Sequence, residues 1–304
     1  MENRILKENR RHGDILLPIG NYQMVLSGIR NLLECHWHDE LEFFKVTRGS
    51  FRFQIASRYY EVSQGDILFI NSGELHSAMA EQNGDYSFRA IVFSPDMLKG
   101  PTDDKVLLEY LSPLLSGRLT VQRVFHYDTV PGMQVQELFD HLYQLLKEKP
   151  AAYEIALKAN LYLLLSELVR TGNGITELKE SIRETAAADS IKRAIRFLQE
   201  NYASNITVDV LAGYSNMSSG HFSRMFKKYT MKTPIEYLNC CRVSKAVVML
   251  EATNRKILDI ALDCGFNSLS YFIHVFRENM GCSPSEYRQK EPHSHPSEDA
   301  KGDT

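Results

Sequence analysis

The chain has 304 residues, of which 43% are hydrophobic and 24% are charged, and its formal net charge is −3. This length fits about two domains, and the composition excludes a fibrous or largely disordered chain. There is no apolar run of roughly 18 residues, and the charged N-terminus lacks an apolar core, so neither a membrane span nor a secretory signal is expected. The 5 cysteines form no C-x-x-C pair, which favours reduced thiols and a cytoplasmic protein.

The pattern of residues 20–95 predicts short β-strands. In FRFQI, residues 51–55, apolar side chains alternate, whereas DILFI, residues 66–70, ends in a continuous apolar run of the buried-strand kind. Glycine-bearing turns such as Arg48-Gly49-Ser50 separate the runs at short intervals. Many short strands with such turns predict a small barrel or a sandwich.

Residue types that bind metals are clustered in this β-region. His36, His38 and Glu42 lie close together in the chain, and His76 follows a predicted strand and turn. In an extended chain, side chains two residues apart share a face, so these groups can converge. Three histidines and one glutamate suit iron, manganese, zinc or nickel. Two interpretations remain open, a working metal site and a binding pocket whose polar lining only hydrogen-bonds.

The spacing of these residues carries a resemblance. The pattern H-x-H-x3-E-x6-G from His36, followed by G-x7-G-x2-H ending at His76, resembles the cupin double motif. In cupins this motif holds a divalent metal inside a small β-barrel. The second half departs from the family pattern, because Asn71 stands where a proline is usual and Ala80 where an asparagine is usual.

Helical periodicity begins after Pro131. Apolar residues then recur every three or four positions, at Val135, Leu138, Leu142 and Leu145. A second, more apolar helix is predicted over residues 151–170. The apolar surface of this helix is wider than the one face that can cover the β-region. The remaining apolar surface indicates either contact with a partner subunit or burial within the same chain. We assign residues 131–171 to a helical dimerisation segment and the polar residues 172–189 to a partly helical linker.

Residues 190–290 contain an internal repeat. Four positions recur at an offset of fifty: Phe222, Phe226, Pro234 and Tyr237 return as Phe272, Phe276, Pro284 and Tyr287. A short unit used twice indicates a repeated supersecondary motif. Each copy, about 207–228 and 256–279, predicts two helices joined by a tight turn, with a polar and basic outer face on the second helix.

The charge of this region supports contact with a polyanion. Residues 190–290 carry 14 Lys and Arg against 8 Asp and Glu, or +6, which leaves −9 for the rest of the chain. Two helix-turn-helix units with basic outer faces are typical of DNA-binding proteins. A plain helical bundle with solvated charges is the structural alternative.

The same region carries a second resemblance. The segments HFSRMFKKYTMKTPIEYLNCCRVSKAVVML and ILDIALDCGFNSLSYFIHVFRENMGCSPSEYR resemble the DNA-binding domain of AraC/XylS-type transcriptional regulators. In that family the second helix of each motif reads the major groove. Carried over by position, the resemblance implies DNA-binding roles for Ser218, Ser219, Gly220, Ser223, Arg224, Lys227, Lys228, Ser268, Ser270, Ile273, His274 and Arg277. The first copy lacks a glycine matching Gly265, so its turn must be made by Ser215 or Asn216. Ile273 either contacts a thymine methyl group or is buried.

Regulators of this type commonly carry a cupin-like domain before the DNA-binding domain. The resemblance therefore implies a multidomain α+β protein, with a cupin-like β-barrel over residues 1–130 and an all-α double helix-turn-helix domain over 190–290. Residues 291–304 are expected to form a disordered tail. The implied function is sequence-specific transcriptional regulation, as an activator or a repressor, by a homodimer bound to double-stranded DNA.

A small-molecule effector, with a sugar as one candidate, is expected to control DNA binding from the barrel. The predicted effector-binding residues are His36, His38, Glu42, Phe44, Phe53 and His76. RNA polymerase is a further candidate partner, whereas no membrane, catalytic activity or resident cofactor is expected. If a divalent metal is bound, its candidate ligands are His36, His38, Glu42 and His76. The alternatives are a metal-dependent cupin enzyme fused to a DNA-binding domain, and a ligand-independent DNA-binding protein whose barrel only dimerises.

Overall fold

The structure, a computed structural model, describes residues 12–100, 102–172, 174–175 and 178–290. The described residues divide into two compact units, of which the first contains residues up to Ile191 together with Lys228–Met231, and the second contains Lys192–Lys227 and the residues from Lys232 onward. The first unit is built mainly of β-strands with helices, and the second is helical. The predicted tail, 291–304, lies outside the described residues. In the part of the chain that is described, no helix has the length and apolarity to cross a membrane.

An antiparallel sheet forms the body of the first unit. Its main strands are β1 (Ile19–His36), β2 (Leu41–Arg48), β3 (Ser50–Ile55), β4 (Arg58–Ser63), β5 (Ile67–Ile70) and β6 (His76–Phe93). Long β6 pairs with β1, β2 and β3, and the path β4–β3–β6–β2–β5 continues to a short strand at Val124–Phe125. The sheet therefore wraps into a near-closed barrel, which confirms the predicted cupin-like fold. Two further short strands, β7 (Leu119–Thr120) and β9 (Gly174–Ile175), pair with each other. In the sequence they are separated by β8 (Val124–Phe125) and the helices that follow it.

The barrel has one core inside and another between its outer face and the helices. On β2, Leu41 and Phe43 pack in the outer core, whereas Phe44 and Val46 pack in the inner one. Alternate residues of a strand point to opposite faces, so a strand that is covered on both sides needs apolar residues throughout. The same reason explains the uninterrupted apolar sequence of β5.

Helices cover the outer face of the barrel. A 3-10 turn (Pro95–Leu98), a π-helical turn (Leu107–Leu111) and α1 (Ser112–Leu115) occupy a stretch for which the sequence predicts no clear element. Helix α2 (Val130–Glu148) begins where the Thr129 hydroxyl accepts a hydrogen bond from the Gly132 amide at 3.1 Å. Helix α3 (Tyr153–Arg170) packs beside it and leaves Ile155 and Leu163 exposed.

One helix runs through the predicted linker. Helix α4 (Leu178–Glu200) is continuous, so the predicted boundary at residue 190 lies inside a helix rather than at its start. The glycines at the beginning of the predicted linker end before this helix, and the residues after them are mostly good helix formers.

The second unit contains the repeat in structural form. Its helices are α5 (Val208–Tyr214), α6 (Ser219–Thr230), α7 (Pro234–Ala252), α8 (Ile257–Asp263), α9 (Leu269–Met280) and α10 (Pro284–Lys290). The pairs α5–α6 and α8–α9 are the two predicted helix-turn-helix copies. At the start of α7, Thr233 and Glu236 exchange reciprocal side-chain to backbone hydrogen bonds, and Ser283 and Glu286 do the same before α10.

The two tight turns are made by different residues in the same conformation. Gly265 has a φ of +85° and Asn216 a φ of +52°. The residue after each turn donates a backbone hydrogen bond of 3.0 Å, from Phe266 to Ala261 and from Met217 to Ala212. Asparagine tolerates the left-handed region better than most residues with a side chain, so Asn216 replaces the missing glycine of the first copy.

Candidate functional site

The four predicted cluster residues converge inside the barrel. The register of β1 and β6 places His36 directly opposite His76, and their ring centroids are 4.1 Å apart. His38 follows β1, and its Nε2 lies 3.0 Å from Glu42 Oε2 on β2. The same carboxylate oxygen is 3.4 Å from His76 Nε2. All four side chains are buried.

Backbone carbonyl groups orient the three imidazoles. Each Nδ1 lies near a carbonyl oxygen two residues away, at 2.9 Å for His36 and His76 and at 3.2 Å for His38. A carbonyl oxygen can only accept, so each Nδ1 carries the hydrogen and donates it. In a neutral imidazole the lone pair then resides on Nε2. One donor atom from each histidine lies within 4.8 Å of the other two.

The environment of the cluster favours the charged form of Glu42 and the neutral form of His36. Although burial opposes its charged form, hydrogen bonds and charges from His38 and His76 hold the pKa of Glu42 well below its ordinary value. Burial, followed by the neighbouring His76, lowers the pKa of His36 well below its ordinary value. Near neutral pH the site therefore combines a carboxylate with a neutral imidazole. Three imidazole nitrogens and a carboxylate oxygen fit a divalent first-row transition metal.

A cavity inside the barrel reaches this cluster. The space in it that is open to a water-sized molecule is about 30 Å³, and its wall contains His36, Glu42 and Phe44 from the predicted set. Phe53 lies behind this wall, where its ring is nearly parallel to that of His76 at 6.2 Å. The cavity is thus polar at the cluster and aromatic beside it.

Most of the remaining wall was missed by reasoning from the sequence. It consists of Tyr22 and Met24 on β1 and of Phe88, Ala90 and Val92 on β6. These residues recur at intervals of two, which is the signal that places them on one face of a strand. A search for alternating positions along both long strands would have found them.

His12 completes the wall from outside the predicted strands. It is buried, its Nδ1 lies 2.7 Å from the hydroxyl of Tyr22, and its ring stands edge-on to His38 at 5.7 Å. No periodic pattern surrounds this residue, so the sequence offered no signal for it.

The predicted DNA-binding residues lie on and just before α6 and α9. Most are exposed: Ser218, Gly220, Arg224, Lys227, Lys228, Ser268, Ser270, His274 and Arg277. Ser219 and Ser223 are half-buried, and so is Ile273, which packs against the core of the second copy. Tyr271 is also exposed on α9, and its hydroxyl accepts a hydrogen bond from the side-chain amide of Asn239 at 2.8 Å.

Both parts of the chain match known protein families. Residues 31–165 match the AraC-like ligand binding domain and residues 211–290 a helix-turn-helix domain. The uncharacterized HTH-type transcriptional regulator YdeC of Bacillus subtilis is 27% identical over 285 residues, which cover 93% of this chain and 96% of that protein. The HTH-type transcriptional activator RhaR of Shigella flexneri is 26% identical over 254 residues, or 83% and 86% of the two chains.

Among solved structures, ToxT from Vibrio cholerae is similar over 90% of this chain and 99% of its own, with 17% identity and a TM-score of 0.44. The family matches fall on the barrel with its helices and on the repeated helix-turn-helix region. The relatives that span nearly the whole chain are transcriptional regulators. The chain therefore carries an AraC-like ligand binding domain ahead of a helix-turn-helix domain, in the same order as the family matches along its sequence.

Proposed function

We propose that this regulator binds a small, oxygen-rich effector, such as a sugar, in the barrel cavity, and that occupancy changes its affinity for DNA. The observation that carries the proposal is the cavity itself, which joins the His36–Glu42 end to the aromatic wall at Phe44 and Phe88. The space open to a water-sized molecule is only about 30 Å³, so binding of an effector requires side chains of the wall to move apart. Coupling requires that the effector bind more tightly to one state of the regulator than to the other.

In the proposed complex with DNA, the two helix-turn-helix copies contribute unequally to recognition of the base sequence. Arg224 is exposed on α6, and its guanidinium fork matches the O6 and N7 atoms of guanine. On α9 the equivalent position is His274, and the neighbouring Ile273 is half-buried in the core. Lys227 and Arg277 are exposed and serve phosphate contacts, which hold the protein on DNA without specifying sequence.

A second copy of the chain is the proposed partner of α3. Ile155 is 74% exposed and Leu163 is 55% exposed, and with Tyr162 they form an apolar stripe at helical spacing. A dimer would cover this stripe and present four reading helices to repeated half-sites. The regulator is proposed to act in the cytoplasm, where it meets DNA and RNA polymerase. Its relatives are transcriptional regulators, which supports a function without catalysis.

The test of effector control uses the full-length protein and a panel of sugars and small organic acids. A compound that raises the melting temperature of the wild type should also change its affinity for DNA selected from the source genome. In His38→Gln this response should vanish while DNA affinity stays unchanged, whereas His126→Gln, at an exposed histidine, should behave as wild type. Loss of DNA binding in folded His38→Gln would contradict the proposed division of labour.

A further inference from the structure

We propose that Arg242 and Asn239, on the helix α7 that connects the two helix-turn-helix copies, are positioning residues that hold both copies as one rigid body on DNA. The consequence is selection for a fixed spacing between the two stretches of DNA that the copies contact. This inference rests on the proposed recognition of DNA by both copies. It adds selectivity for spacing, which the side chains of the reading helices do not provide by themselves.

Arg242 joins α7 to the segment that leads into the first copy. Its Nε donates a hydrogen bond to the backbone oxygen of Tyr202 at 2.8 Å, and its Nη2 donates one to the backbone oxygen of Ser204 at 3.0 Å. Two hydrogen bonds from one planar guanidinium group fix both the distance and the orientation of this segment. Because the segment lies between α4 and α5, Arg242 sets where the first copy begins relative to α7.

The same guanidinium group contacts the second copy. It lies over the ring of Phe266, 5.5 Å from the ring centroid, which is a cation–π distance. Phe266 is buried and directly follows the tight turn of the second copy. In that turn, a Cβ atom added to Gly265 would lie 2.6 Å from the backbone oxygen of Ala203, in the segment that Arg242 holds. The segment before the first copy and the turn of the second copy therefore pack on each other, and Arg242 binds both.

Asn239 connects the same face of α7 to the second reading helix. It precedes Arg242 by three residues, so the two side chains are neighbours on the helix surface. Asn239 is buried, and its side-chain amide donates the 2.8 Å hydrogen bond to the hydroxyl of Tyr271 on α9. The ring of Tyr271 in turn stands edge-on to that of Phe266, with the centroids 6.1 Å apart. Contacts thus continue from the segment before the first copy to the reading helix of the second.

A rigid connection between the copies has a geometric consequence on DNA. Successive major grooves on one face of B-DNA are about 34 Å apart, and one helical turn contains about 10.5 base pairs. One additional base pair therefore moves the second groove by about 3 Å and rotates it by about 35° around the DNA axis. Loosely connected copies could follow the displaced groove, whereas rigidly connected copies must lose the contacts of one copy. Phe222 and Phe226 are buried in the first copy, and Phe272 and Phe276 in the second, so loosening the connection should precede unfolding of either copy.

The test measures spacing selectivity with the full-length protein and a DNA duplex that the wild type selects from a random-sequence library. Hydroxyl-radical footprinting should show two protected segments of the duplex, one helical turn apart. Insertion of one base pair between these segments should weaken binding by the wild type at least about 10-fold. Arg242→Lys keeps the positive charge but loses the planar group that makes both hydrogen bonds. It should bind the selected duplex about 3–10-fold more weakly than the wild type does, and the insertion should weaken its binding less than about 3-fold.

Two further variants complete the comparison. Tyr271→Phe removes only the hydroxyl that accepts from Asn239, and it should reduce the effect of the insertion in the same direction as Arg242→Lys does. Arg196→Lys, at an exposed arginine of α4, should bind both duplexes as the wild type does. Circular dichroism and thermal unfolding verify that each variant is folded. If Arg242→Lys does not fold, Tyr271→Phe decides the outcome.

The possible results separate positioning from a purely structural role. Equal weakening of both duplexes in the folded variants, with the effect of the insertion unchanged, would overturn the positioning role of Arg242 and Asn239. A wild type that protects only one segment, or that tolerates the insertion, would overturn the rigid connection itself. Failure of the wild type to select any duplex would instead contradict the proposed recognition of DNA.

Discussion

The turn of the second helix-turn-helix copy allows backbone strain to be separated from close packing by substitution. Gly265 has a φ of +85°, and a Cβ atom added there would lie 2.6 Å from the backbone oxygen of Ala203. Gly281, which follows α9, has a φ of +73° but would meet nothing within 4 Å. Gly265→Ala therefore carries a conformational cost and a steric cost, and Gly281→Ala carries only the first.

The expected magnitudes follow from this difference. An alanine held in the left-handed region costs about 1–2 kcal/mol, which applies to both variants. Forcing an extra carbon into a packed site costs about 1–3 kcal/mol more, and the obstacle here is backbone that cannot rotate away. Gly265→Ala should thus destabilise the second copy by about 2–5 kcal/mol, and Gly281→Ala by about 1–2 kcal/mol.

Native-state hydrogen exchange on the full-length protein can measure this locally. Amides of α8 and α9 should lose protection in Gly265→Ala, with a smaller loss in Gly281→Ala, while amides of the barrel serve as the internal control. DNA affinity should fall in the same order, because α9 is docked through this turn. Equal losses of protection in the two variants would refute the inference that contact with Ala203 requires a glycine at position 265.

Three further predictions concern the surfaces and a helix cap. Arg224→Ala should cost about 1–3 kcal/mol of DNA-binding free energy and relax specificity at one position of selected binding sites. His274→Ala should cost less binding free energy. Equal losses would contradict the proposal that the two copies contribute unequally to recognition of the base sequence. Leu163→Glu should convert the proposed dimer to monomer in sedimentation, but Leu258→Glu, at another exposed leucine, should not. Thr233→Ala removes the cap of α7 and should lower the unfolding free energy of the helical unit by about 0.5–2 kcal/mol in urea titrations.

The helix-turn-helix region could be predicted in detail because its signals are local. The offset of fifty identified the two copies, and the spacing of Phe222 and Phe226 identified the buried face of α6, where both are fully buried. Thr207 and Ser268 are the N-caps of α5 and α9, and such a cap depends on only three or four residues of sequence. The turn residue was narrowed to two candidates, and the structure selects Asn216.

The barrel site could be predicted only in part because its assembly depends on strand register. The pattern around His36 indicated which residue types could converge, but the pairing of His36 with His76 arises after several register shifts between β1 and β6. Such shifts depend on bulges and turns that a period of two does not reveal. Seven of the ten residues that line the cavity were not predicted, including His12, which no periodic pattern surrounds.

A buried charge on β2 shows the same limit and leads to a last prediction. Lys45 lies on β2 between the buried apolar residues Phe44 and Val46, and its side chain is only 11% exposed. Its Nζ donates to both carboxylate oxygens of Asp140, on α2, at 2.7 Å. Because this partner is 95 residues away in the sequence, no local sequence pattern predicts the ion pair.

Because Asp140 is 45% exposed, water weakens the ion pair with Lys45. Asp140→Ala should therefore lower the free energy of unfolding by about 1–3 kcal/mol, less than the loss expected for a fully buried pair. Most of that cost comes from leaving the ammonium group without a partner. In a Lys45→Met background, Asp140→Ala should therefore cost less than about 0.5 kcal/mol. Equal costs in the two backgrounds, measured by denaturant unfolding of the barrel unit, would show that Asp140 stabilises α2 by itself and that the ion pair does not anchor the helix to the barrel.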